Sequence, residues 1–196
     1  SGSTVTRATD VASISGNDFG TFNLLQYSEE FDDATWTGAS PTVTPNVAVA
    51  PNGTKTADKV EVAQIRQTAS PVISSASYSI SFFIKADETT SPVIRLRTGY
   101  SGGSDNFWWI PSTGLFGTVN SEFSDESATF IGNGWYRISA VYEIPAGITS
   151  VEFAISGVTA NDGGTIGGEF VIWGAQLEES STVTPYVKSD VTWTSR

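Results

Sequence analysis

Four of the six arginines in this chain, Arg66, Arg95, Arg97 and Arg137, sit at positions that alternate with apolar residues, and Lys85 shares their parity. A guanidinium pairs with a planar anion through two parallel hydrogen bonds, so grouped arginines suit carboxylate or sulfate recognition. If the strands that carry them share one sheet, these cations converge on its outer, concave surface. The competing reading pairs them with Glu61, Glu143 or Glu152 on neighbouring strands, and surface pairs of that kind contribute little to stability.

Aromatic residues supply the second constellation. Sugar rings stack their C–H faces on Trp and Tyr, which combine apolar area with a polar tip. In Phe107-Trp108-Trp109-Ile110, alternation sends Trp108 and Ile110 one way and Phe107 and Trp109 the other, which leaves one Trp the more exposed. Trp135 shares the parity of Arg137, and Tyr100 stands beside a Ser-Gly-Gly turn whose rim it would line. The candidate ligand-binding residues are therefore Trp108, Trp109, Trp135, Arg95, Arg97, Arg137 and Tyr100. The competing reading for each tryptophan is a place in the core.

Other chemistry is excluded by what the chain lacks. It contains no histidine and no cysteine. That removes the commonest general base, every Ser-His or Cys-His nucleophile pair, disulfides and thiolate metal sites. A net charge of -11 and a pI near 4.2 argue against a nucleic-acid partner, which is held by neutralising phosphates. No run approaches the ~18 apolar residues that span a bilayer, so no membrane insertion is expected. Asn161 to Gly168 lacks the lysine of a phosphate-binding loop and reads as a hairpin loop.

The elements that must position these residues are strands. Tyr78, Ile80, Phe82 and Ile84 alternate with more polar neighbours, as do Ile94, Leu96 and Thr98, and Tyr136 to Ile144. Further strands are expected at residues 57–62, 64–68, 106–110, 127–131, 149–155 and 169–177, with glycine-rich turns at 101–103 and 132–134. No window carries a helical stripe, although residues 28–34 suit one short turn. Two apolar end strands, within Asn23 to Trp36 and Glu169 to Glu179, would let the termini meet in one sheet. Residues 1–22 read as a linker from a preceding module, with an edge strand at Val11 to Ile14; residues 188–196 read as the start of a following linker or module.

Asn23 to Trp36, Ala50 to Lys59, Gly132 to Arg137 and Glu169 to Val187 together resemble the carbohydrate-binding-module-like jelly rolls of bacteriophage tail and other virion proteins. The resemblance covers residues 23–187 and implies an all-β jelly-roll β-sandwich of two antiparallel sheets. It also implies a virion or extracellular location, as one module of a larger chain, monomeric or homotrimeric. In hydrolase-linked relatives a structural Ca²⁺ sits near the opening turn, which here carries Glu29, Glu30 and Asp32 as its candidate ligands. Those relatives take a further acid from the last strand, and Val171 to Ala175 has none. Carboxylates and backbone carbonyls supply the oxygens that calcium requires, and a solvated acidic turn is the alternative.

The reading that follows is a non-catalytic glycan-binding or adhesion module of a phage virion or tail protein, with polysaccharide or a cell-surface glycan as partner. A structural virion domain that spaces or decorates without a sugar ligand is the alternative. A polysaccharide lyase or glycosidase stands behind both.

Overall fold

The computed structural model describes residues 22–38, 42–61 and 64–190. The expected edge strand at Val11 to Ile14 and the segment from Val191 onward lie outside them. In chain order the strands are β1 (Thr42–Ala48), β2 (Ala57–Glu61), β3 (Gln64–Ala69), β4 (Ser77–Lys85), β5 (Val93–Tyr100) and β6 (Gly103–Ile110). They continue with β7 (Leu115–Val119), β8 (Phe123–Gly132), β9 (Trp135–Glu143), β10 (Val151–Val158) and β11 (Glu169–Glu178). One 3₁₀ turn at Ala86–Glu88 follows β4, and no α-helix occurs among the described residues.

The strands form two antiparallel sheets, ordered β1-β2-β11-β4-β9-β8 and β3-β10-β5-β6-β7, and the fold is an all-β jelly-roll sandwich. Period-two alternation explains the shared core: Ile94 and Leu96 of β5, Phe107 and Trp109 of β6, and Ile138, Ala140 and Tyr142 of β9 all point between the sheets. Almost all of β4 is buried as well, because Phe83 on its outer phase belongs to a second apolar cluster with Trp135, Val171 and Trp173, packed under Tyr186.

One expectation about the connections is corrected. Residues 22–38 run as bends and turns rather than as a strand. They are held instead by Asn23, whose amide nitrogen donates to the carbonyls of Ala175 (2.8 Å) and Val187 (3.1 Å) while its oxygen accepts from the amides of Leu25 and Leu177 (both 3.1 Å). That is every bond an asparagine side chain can make, and it works beside the backbone bonds from Leu24 N to Leu177 O (2.8 Å) and from Ala175 N to Ser28 O (3.0 Å) that lay the string along β11. The loop after β10 is the hairpin expected there: Val158 bridges Ile166 in antiparallel fashion, Thr159 N donates to Thr165 O at 2.9 Å and Gly167 N to Gly157 O at 3.1 Å, before the chain crosses to β11 in the other sheet. The loop reaches toward β7, where Asn161 Oδ1 accepts from the Thr118 amide at 3.0 Å. Strands β1 and β7 fall where no strand was expected.

Candidate functional site

Strand β5 builds the site. With Ile94 and Leu96 committed to the core, Arg95 and Arg97 must point outward from the five-stranded sheet. Arg97 pairs across to Ala154 of β10, which in turn pairs with Arg66 of β3, so a small side chain separates two long ones. Both guanidiniums reach diagonally to Glu152, two residues back on the same face of β10. Arg66 Nη1 donates to Glu152 Oε2 and Arg97 Nη1 to Glu152 Oε1, each at 2.8 Å. Gly99, the cross-strand partner of Glu152, makes this possible: a Cβ there would stand 2.8 Å from Arg97 Nη1.

This triplet lies in an open cleft of about 510 Å³. Tyr100, Ser101 and the loop from Gly147 to Ser150 also line it. Glu152 is the one acid among the lining residues, so the cleft holds no pair of carboxylates of the kind glycoside hydrolysis uses. Arg95 lies next along the strand, half-buried, with its Nε directed at Ser156 Oγ at 3.3 Å. No carboxylate pairs with it among the described residues. Burial and then the charge of Arg97 push its pKa below the ordinary guanidinium value, and it remains a cation at neutral pH. Two guanidiniums thus share one carboxylate, with a third cation beside them, on a protein that is acidic overall.

Of the residues expected to bind ligand, the cleft region brings together Arg95, Arg97 and Tyr100, with Arg66. The single shared face is corrected: Arg137 and Lys85 belong to β9 and β4 of the other sheet. Strand parity decides which side of a sheet a residue faces, but not which sheet its strand joins. Trp135 goes with Arg137; it is 2% exposed in the second apolar cluster and its indole nitrogen donates to Val49 O at 3.0 Å. Trp109 is 0% exposed and packs on Tyr136 with centroids 5.2 Å apart. Trp108 does lie on the arginine face, directly across from Arg95, yet it is 6% exposed and packed with Val93, Val158 and Ile110. None of the three offers a free ring face for stacking.

The outer face of the six-stranded sheet is already occupied. The Arg137 guanidinium donates to Ser81 Oγ (2.9 Å) and to the carbonyl of Thr184 (2.6 Å), and lies over the Phe83 ring. Tyr186 packs on Phe83 and Trp173, while Gln176 Oε1 accepts from the Val187 amide at 2.6 Å. The bulge at Gly174 (φ +61°) makes room, since a Cβ there would stand 3.0 Å from Phe83 Cδ2.

A third region gathers acids. Glu29, Glu30 and Asp32 line a cleft of about 180 Å³ with Asn46, Thr56 and Asp58. Asp58 was not expected there, although its place in the same phase as core Val60 marks it in the sequence. It is 1% exposed and accepts from the amides of Phe31 (2.8 Å) and Asn46 (2.9 Å). Desolvation, reinforced by the charges of Asp32 and Glu30, pushes its pKa up to about 6. Burial raises Glu29 as well, opposed by Lys188, whose ammonium stands 3.8 Å from it and 2.8 Å from Asp190. These oxygens fit calcium by donor type. As the side chains stand, no three acids among the described residues are gathered closely enough to hold a metal ion.

The fold and this cleft define a class: a jelly-roll sandwich with a cationic open cleft on its five-stranded sheet. No family model and no curated protein matches the chain. Among solved structures it is similar to the enzymatically active domain of bacteriophage CBA120 tailspike protein 4, at 17% identity and a TM-score of 0.47 over 79% of this chain and 21% of that longer one. It is also similar to the carbohydrate-binding module TmCBM61, solved with β-1,4-galactotriose, at 13% identity and a TM-score of 0.48 over 81% of this chain and 99% of the module. A third likeness is to the C-terminal CBM6 of LamC from Zobellia galactanivorans, at 11% identity and a TM-score of 0.41 over 81% of this chain and 99% of that one. Likenesses this distant assign neither a ligand nor an activity to the chain.

Proposed function

We propose that this chain is a non-catalytic module of a phage virion or tail protein that binds polysaccharide bearing carboxylate or sulfate groups, in the cleft between β3, β10 and β5. The observation that carries the reading is the placement of Arg66 and Arg97 on one acid in an open cleft that Tyr100 also lines, with Arg95 next to Arg97 on the same face of β5. Guanidiniums fixed on rigid strands recognise planar anions at little entropic cost. The sequence strings shared with virion jelly rolls support the phage setting. Retention on immobilised acidic and neutral polysaccharides tests it: acidic polymers should retard the protein in affinity electrophoresis, and Arg97→Ala should abolish most of the retardation. Retardation by none of them removes the reading.

One observation favours a second reading, a structural virion domain. Trp36, Trp108, Trp109, Trp135 and Trp173 are all buried, so among the described residues the cleft has no tryptophan platform. A structural role predicts no retention by any glycan, together with self-association or assembly on a neighbouring module, which light scattering of the monomer or trimer reports. Calcium belongs to the proposal too: bound among Glu29, Glu30, Asp32 and Asp58, it would neutralise acids that now repel one another.

A further inference from the structure

We infer that Glu152 is a built-in counter-anion, a carboxylate of the protein held where the anionic group of a ligand would sit, and that it sets the cleft's selectivity. The inference rests on the polysaccharide-binding reading for its biological ligand. Its geometry stands independently of that reading.

Glu152 does not make one ion pair but bridges two guanidiniums, one through each carboxylate oxygen, with both contacts at 2.8 Å. A uronate carboxylate or a sulfate ester presents the same pair of oxygens to the same donors. The bridge is exposed to exchange: the Glu152 side chain is 23% accessible and those of Arg97 and Arg66 are 31% and 40%. Pairs this open are held weakly. Gly99 leaves open the space in which the Arg97 guanidinium stands, since a Cβ there would lie 2.8 Å from its Nη1. Arg95, with no carboxylate partner among the described residues, keeps the region cationic while Glu152 is in place. An incoming anion therefore displaces Glu152 from Arg97 and gains Arg95 nearby, whereas a neutral sugar gains nothing from the exchange. A strongly anionic polymer competes for this site and a weakly charged one does not.

The test compares wild type with Glu152→Gln and Glu152→Ala, each first shown by thermal melting to be folded. Inorganic sulfate is titrated while the arginine Nε–Hε resonances are followed by NMR, and dextran sulfate, polygalacturonate and neutral dextran are tested by calorimetry. Both variants should bind sulfate and the anionic polymers roughly fivefold tighter than wild type, with the shifts centred on Arg66 and Arg97 and no change for neutral dextran. If the variants bind sulfate no more tightly, or less tightly, the counter-anion role is overturned even where wild type binds a polymer. If sulfate tightens but no polymer binds any form, the counter-anion role stands and the polysaccharide reading falls.

Discussion

The Arg137 guanidinium donates to the backbone carbonyl of Thr184 at 2.6 Å, and this bond ties the outer face of the six-stranded sheet to the chain that follows β11. The arginine that alternation groups with Arg95 and Arg97 is therefore a structural clasp. Glu178, buried nearby, supplies a compensating negative charge that partly offsets the desolvation lowering the Arg137 pKa.

Removing the clasp should cost stability and nothing else. Arg137→Ala leaves the Thr184 carbonyl without its partner and Glu178 without its cation. Urea unfolding should show a loss of about 2–3 kcal/mol. Retardation by acidic polysaccharide at a temperature where the variant is folded should match wild type.

Arg97→Ala should behave in the opposite way. Its pair with Glu152 is solvent-accessible, so stability should change by less than about 1 kcal/mol, while affinity for an acidic polymer falls at least roughly tenfold through loss of a bidentate contact. Calorimetric titration and a melting curve on the same sample separate the two effects.

Trp109→Ala tests whether that indole is core or platform. Its complete burial against Tyr136 predicts a loss of about 3–5 kcal/mol in chemical denaturation. A stable variant with reduced polysaccharide binding would contradict its position in the core.

Asp58 makes stability depend on pH with a definite sign. Its pKa is about 6 in the fold and near the ordinary value of 3.8 in the unfolded chain, so the native state holds the proton more tightly. The resulting stabilisation is complete below the unfolded value and is lost as pH rises through 6. Between pH 7 and pH 5 the contribution grows by about 1 kcal/mol, equivalent to a rise of roughly 2–4 °C in Tm. Calorimetry should find this rise smaller in Asp58→Asn, which also leaves the Phe31 or Asn46 amide without an acceptor and lowers Tm throughout.

Calcium acts on the same acids. At pH 7, Ca²⁺ should raise the Tm of wild type above its value in chelator, and the increment should shrink at pH 5 as Asp58 takes up its proton. Equal melting temperatures with and without chelator at pH 7 would discard the metal.

Alternation in β4, β5 and β9 was enough to specify an all-β chain and to turn Arg95 and Arg97 away from the core, because the side-chain period of a strand is a local property. Glycines marked the β5–β6 and β8–β9 turns for the same local reason. The opening string was misread as a strand because its apolar residues give no sign that only Leu24 and Ser28 bond β11 through their backbone while the Asn23 side chain makes the neighbouring bonds. Likewise, nothing within β9 reveals that it pairs with β4 rather than β5, and that choice alone separates Arg137 from Arg97. Whether Trp108, Trp109 and Trp135 stack on ligand or lie buried depends on residues far away in the chain, such as Val158 and Val49. Sequence determined which residues could face outward together; only the pairing of strands and the segments laid over them decided which still face solvent, because burial is set by long-range contacts that no local period encodes.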